Sequence, residues 1–109
     1  MPAEADSFKA FVLDQLRDLP GVAARSMFGG YGLYHGKVFF GILFHGQLYF
    51  KTALATRPRY EQYGMKPFRP SAKQTLKTYY EVPVEILEEA DRLVEWAQVA
   101  IHSKHASTR

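Results

Sequence analysis

The chain contains no cysteine, so disulfides and thiolate metal sites are excluded and a reducing compartment is favoured. It also lacks any apolar run near the roughly 20 residues that span a bilayer, and no membrane partner is expected. Its opening residues, Met1 to Asp6, are acidic without an apolar core. They do not read as a signal peptide, and a cytoplasmic location is the expectation. No internal repeat or low-complexity segment is present. The 109 residues, 47% hydrophobic and 23% charged, fit one globular domain over residues 1–109 built on a single core. Only the ends look loose, so the ordered core is expected over about residues 6–103.

Constellations that carry chemistry are missing as well. His35 and His45 sit at turns at opposite ends of one expected strand and should point apart. His102 and His105 are spaced i, i+3 near the chain end, without an accompanying carboxylate or third ligand. Ser7, Ser26, Ser71, Ser103 and Ser107 have no nucleophile-elbow context. Gly29-Gly30-Tyr31-Gly32 leads into a strand, whereas a phosphate-cradling loop needs a helix N-terminus after it. No catalytic, cofactor-binding or metal-ligating residue is assigned, no cofactor is expected, and a non-enzymatic protein is the reading.

What the chain does contain is a glycine-punctuated aromatic run from Met27 to Thr52. His35-Gly36 and His45-Gly46 each divide stretches of Tyr, Phe, Val, Ile and Leu, as two-residue hairpin loops do. Taking both pairs as the loops, Phe44 opposes Gln47, Leu43 opposes Leu48 and Gly41 opposes Phe50, while Leu33 opposes Val38 and Gly32 opposes Phe39. Alternation then sorts the side chains into two faces. Gly30, Gly32, Tyr34, Phe39, Gly41, Leu43, Leu48 and Phe50 share one. Tyr31, Leu33, Val38, Phe40, Ile42, Phe44 and Tyr49 share the other. Both are apolar, although an antiparallel layer with one wet face alternates apolar and polar residues. One face is expected under helices. The other needs cover, and a second copy of the chain on Phe40, Ile42 and Tyr49 is the simplest closed solution.

Helices flank this run. Phe8, Phe11, Val12, Leu16 and Leu19 follow a helical stripe, with Asp6 or Ser7 as cap and Pro20-Gly21 as stop. Thr56 can cap a short helix beginning near Pro58 and ending at Gly64. Thr75 to Val82 alternates as a strand, and Phe68-Arg69 between two prolines reads as a brief edge strand. Pro83 opens a last helix whose stripe runs from Ile86 to Ile101. The order is helix, three strands, helix, one or two strands, helix. This predicts an α+β domain with an antiparallel sheet of four to five strands and helices packed against it.

Charge is unevenly spread. Residues 19 to 80 hold nine Lys and Arg against Glu61 alone, while both terminal segments are acidic. Arg57, Arg59, Arg69, Lys73 and Lys77 are the candidate charged binding surface, for phosphates or an acidic protein. The competing reading has acidic helices neutralising these bases locally, with Glu81, Glu85 or Asp91 as partners of Arg57, Arg59 and Lys77. A net charge of +3 is modest for a dedicated nucleic-acid binder, so a protein partner ranks ahead of nucleic acid.

Arg25-Ser-Met-Phe-Gly-Gly-Tyr-Gly-Leu-Tyr34 resembles the signature of the TfoX (Sxy) N-terminal domain family. Leu48-Tyr-Phe-Lys51, Tyr60 to Gly64 with Pro67-Phe68, and Tyr79-Tyr-Glu-Val-Pro83 follow in the family's order. The closing helix with Leu93, Trp96 and Ala97 is also similar. The resemblance covers roughly residues 8 to 103 and implies a bacterial protein with a secretion-chaperone-like α+β fold. The family's best-known members regulate natural competence as coactivators alongside the cyclic-AMP receptor protein. Those members carry a second, helix-hairpin-helix-like domain, and this chain is expected to be a single-domain member. The resemblance implies no catalytic residue. The leading functional reading is a non-enzymatic interaction module with a protein partner, including a second copy of itself as a homodimer. Direct nucleic-acid binding through the basic middle segment is the alternative. A small-ligand protein or enzyme with a pocket at the glycine hairpin is the third reading.

Overall fold

A computed structural model describes residues 2–27 and 29–103, with side chains from Asp6 onward. Phe28 and His105, both weighed above, lie outside the described residues. The elements are α1 (Pro2–Gln15), β1 (Val22–Met27), β2 (Gly30–His35), β3 (Val38–Phe44), β4 (Gln47–Lys51), α2 (Arg57–Glu61), β5 (Pro67–Ser71), β6 (Gln74–Glu81), α3 (Val84–Leu87) and α4 (Ala90–His102). The strands form one antiparallel sheet in the order β1-β2-β3-β4-β6-β5. The domain is α+β, as expected, but the sheet has six strands and not four or five.

The additional strand is β1. Val-Ala-Ala-Arg-Ser-Met is poor in branched and aromatic residues, so it carries little strand propensity. Pairing supplies what propensity does not, since every β1 residue has a partner from Val22↔His35 to Met27↔Gly30. At the other end, the single expected helix is two. The chain leaves helical geometry at Glu89 (φ −112°, ψ 103°) before α4. Gln15 Nε2 donates to the Leu87 carbonyl at 2.9 Å, satisfying an acceptor that the end of α3 leaves open.

The second hairpin follows the expected register. His45 (φ 50°) and Gly46 (φ 75°) form its loop, with Phe44↔Gln47, Leu43↔Leu48 and Gly41↔Phe50. The first hairpin does not. Its loop is Gly36-Lys37, and His35 pairs with Val38. The register then shifts beside Leu33/Tyr34: Tyr34 opposes Phe39 but Leu33 opposes Gly41. Phe40 is the extra residue of this bulge. A one-residue slip exchanges the faces of a strand, so Tyr31 and Leu33 point to the helices, while Tyr34 and Phe39 point away.

On the helix side, Val12 of α1 and Leu16 just after it, Tyr60 of α2, Ile86 of α3, and Leu93, Trp96, Ala97 and Ala100 of α4 cover Leu33, Phe40, Leu43, Leu48 and Phe50. Phe40 and Phe50 are fully buried, with ring centroids 5.7 Å apart. Gly41 is needed between them, because a Cβ there would lie 3.2 Å from both Phe50 Cδ1 and Leu33 Cδ1. Trp96 is buried with its ring edge-on to Tyr60 at 4.7 Å.

The far side of the sheet has a smaller core of Ile42, Tyr49, Phe68 and Tyr79, flanked by Met27, Phe39, Phe44 and Leu76. Its cover is the β5–β6 hairpin. Pairing in that hairpin jumps from Pro67↔Tyr80 to Phe68↔Leu76, leaving Lys77, Thr78 and Tyr79 as extra residues on β6. The hairpin bends there and brings Phe68 onto Tyr49 (4.6 Å) and Phe44 (5.3 Å). Phe40, Ile42 and Tyr49 therefore do not form the shared self-association face expected of them. Phe40 belongs to the helix-side core, and Ile42 and Tyr49 lie under residues of the same chain.

Candidate binding face on the open side of the sheet

All four helices gather on one face, so the opposite face of β1, β2 and β3 has no helix over it. Ala24 packs toward the helices, which turns Arg25 the other way. Its guanidinium lies 5.2 Å over the Tyr34 ring, a cation–π distance. Tyr34 is 5.2 Å from Phe39, and Phe39 is 5.4 Å from Tyr79, at interplanar angles of 30° and 35°. The result is a row of rings from β2 through β3 to β6, with a cation at its β1 end. Tyr34 and Phe39 remain half exposed, whereas Tyr79 is buried.

Gly32 makes this row fit. A Cβ there would lie 3.0 Å from Phe39 Cε1, 3.1 Å from Met27 Sδ and 3.3 Å from Tyr34 Cε1. With no side chain in the way, these groups lean across the sheet over the glycine. Burial, together with the neighbouring Tyr34, pushes the Tyr79 phenol up to about 12. It stays neutral near pH 7 and acts there as a ring, not an acid.

The charge on this layer is predominantly positive. Arg25, Lys51, Arg69 and Lys77 lie in the strands, and Lys37 and Lys73 lie in their turns. Lys51 shares the side of Tyr49 by alternation and pairs in register with Tyr79. Lys77 is exposed two residues before Tyr79. Glu81 is the one acid in the strands. Gln47 holds it at 3.0 Å and accepts a hydrogen bond from Tyr49 Oη at 3.0 Å. Burial and then the Glu81 charge raise the Tyr49 phenol above its ordinary value. The remaining described acids lie in or beside the helices: Asp6, Asp14, Asp18, Glu61, Glu85, Glu88, Glu89, Asp91 and Glu95. The domain is thus polarised, with a basic sheet under acidic helices.

The five cations singled out from sequence are divided by the fold. Arg57 and Arg59 belong to α2, in the helix layer. Arg57 Nε donates to Thr52 Oγ1 at 3.2 Å, and Arg59 lies 5.3 Å over the Trp96 ring. Arg69, Lys73 and Lys77 lie on the β5–β6 hairpin, where Arg69 donates to the Ala72 carbonyl at 2.8 Å. Local neutralisation is not how the bases are held. Among the described residues the ion pair within 4 Å is Arg17–Asp14, at 3.3 Å, and none joins Arg57, Arg59 or Lys77 to Glu81, Glu85 or Asp91. Sequence reasoning missed Arg25, Tyr34, Phe39 and Lys51 because it missed β1 and slipped the first hairpin. The signal that could have found them is the absence of any acid between Asp18 and Glu61.

Other concave places are slight. The crevice at the glycine hairpin, lined by Phe8, Gly29, Gly30, Tyr31, Leu43, Phe44, His45 and Gly46, encloses about 20 Å³, little more than one water requires. A shallow depression between the β4–α2 connection and the end of α4 is lined by Ala53, Thr56, Glu95, Gln98, Val99, His102 and Ser103. His102 there is occupied by the Gln98 carbonyl, 2.8 Å from its Nδ1. His45 stacks on Phe44 at 4.0 Å in its turn, while His35 ends β2 instead of forming a turn. Among the described residues no three His, Asp or Glu side chains group as a metal site. No described helix is long and apolar enough to cross a membrane.

The model of the TfoX N-terminal domain matches residues 14–103, most of the chain. The chain belongs to the TfoX N-terminal domain family. Comparison with curated proteins gave no match. The segment from Arg25 to Tyr34 joins the end of β1 to β2, and its first and last residues meet as the cation–π pair.

Proposed function

We infer that this TfoX-type domain is a non-enzymatic interaction module whose working surface is the helix-free face of its sheet. The observation that carries this reading is the coincidence of partly exposed rings, Tyr34 and Phe39, with the cations Arg25 and Lys51, neither of which has an ion pair within 4 Å among the described residues. Partly exposed aromatics beside cations are suited to a complementary anionic surface. The acidic helix layer repels such a surface, so an anionic partner docks in one orientation.

The experiment is affinity capture from a bacterial lysate with three forms of the chain. Arg25→Glu/Lys51→Glu reverses the face, and Arg92→Glu alters the helix layer. Retention by the parent and the Arg92 form, with loss from the double variant, supports the face. Equal retention by all three forms overturns it.

A further inference from the structure

We propose that the occupant of this face is a single strand of nucleic acid, with bases stacked on Tyr34 and Phe39 and phosphates on Arg25 and Lys51. This rests on the face being the working surface. Three features favour a single strand over the other anionic partners. First, the rings form a row. Tyr34, Phe39 and Tyr79 follow one another at 5.2 and 5.4 Å with similar tilts of 30° and 35°. Unpaired bases have free π-faces for such a row, and a sequence-tolerant platform needs no hydrogen-bond code. A duplex hides those faces in its own stack and is read by an element that enters a groove. This sheet face is broad, and the helices lie behind it and carry the acids.

Second, the cations flank the row. Arg25 caps the Tyr34 end. Lys51 stands in register with Tyr79 at the other end. A strand laid along the rings therefore meets a positive group at each end, as a backbone that follows its stacked bases requires. Third, the platform is preformed. Gly32 leaves Phe39, Met27 and Tyr34 resting on the sheet, and Phe39 is braced from the other side by Tyr79. Little side-chain entropy is left to lose on binding. The platform presents rings and cations, with no group set to detect a ribose 2′-hydroxyl, so DNA and RNA strands should bind alike. An acidic polypeptide would satisfy the cations but leave the rings unused.

Fluorescence anisotropy with a short labelled oligonucleotide tests this. The arms are single-stranded DNA, single-stranded RNA, the corresponding duplex and poly-glutamate as competitor, each at low and physiological salt. The single strands are expected to bind alike and more tightly than the duplex, with affinity falling as salt rises. Phe39→Leu keeps an apolar cover but removes the ring. It should weaken binding about tenfold without changing the salt slope. Lys51→Gln should flatten the slope by about 0.7. Tyr34→Leu provides a second ring variant, and a melting curve for each confirms folding. A duplex bound as well as the single strand, or folded ring variants that bind like the parent, would overturn stacking. Binding of poly-glutamate without oligonucleotide binding would overturn the nucleic-acid proposal but leave the face standing. If Arg25→Glu/Lys51→Glu binds oligonucleotide as the parent does, the face itself is wrong.

Discussion

Phe68, on the outermost strand β5, stacks 4.6 Å from Tyr49 on β4, with β6 lying between those strands in the sheet. The contact exists because the β5–β6 hairpin bends where three residues of β6 have no partner on β5. It closes the far-side core over Ile42 and Tyr49.

Removing this ring should open that core. Phe68 is 1% exposed, so Phe68→Ala is expected to destabilise the domain by about 3–5 kcal/mol. Denaturant unfolding measures the loss. Sedimentation equilibrium should also show more self-association than in the parent, because Ile42 and Tyr49 lose their cover. A melting point within a degree or two of the parent would mean that the hairpin does not close this side.

Gly30 should not tolerate a side chain. Its φ is not in the left-handed region, but a Cβ would run into the backbone carbonyl of Leu43 on the neighbouring strand. Strand backbone cannot move aside as a flexible side chain does, so Gly30→Val should cost about 1–3 kcal/mol or more. An unchanged denaturation midpoint would show that the two strands are farther apart than described.

Thr52 is fully buried between the sheet and α2. Its hydroxyl donates to the Thr78 carbonyl at 3.0 Å and accepts from Arg57 Nε at 3.2 Å. Thr52→Val keeps the shape but leaves Arg57 without this acceptor. A loss of about 1–2 kcal/mol is expected. Pairing it with Arg57→Met in a double-mutant cycle should recover part of that loss.

Alkaline pH should weaken the fold through Tyr79. Its folded-state pKa, pushed up to about 12 by burial, exceeds the ordinary tyrosine value of about 10. The folded form therefore holds a proton that the unfolded form releases. The contribution is full below pH 10 and is lost as pH rises toward 12. Tyr79→Phe should flatten this alkaline branch, measured as unfolding free energy against pH. Parallel curves for parent and variant would count against the buried neutral phenol.

The sequence alone determined the fold class and much of its core, because those depend on local patterns. The stripe of Val12 and Leu16, the His45-Gly46 turn and the Gly41–Phe50 pair follow from helical period, hairpin-loop chemistry and strand alternation. Tertiary structure decided the rest. β1 is a strand because β2 pairs with it, not because Ala23, Ala24 and Ser26 favour one. The bulge at Phe40 depends on packing against Phe50 and Leu33, and it sets which face Tyr34 and Phe39 occupy. The binding face is the consequence: Arg25, Tyr34 and Lys51 share it only through register, and one residue of slip moves a strand's side chains to the opposite side of the sheet.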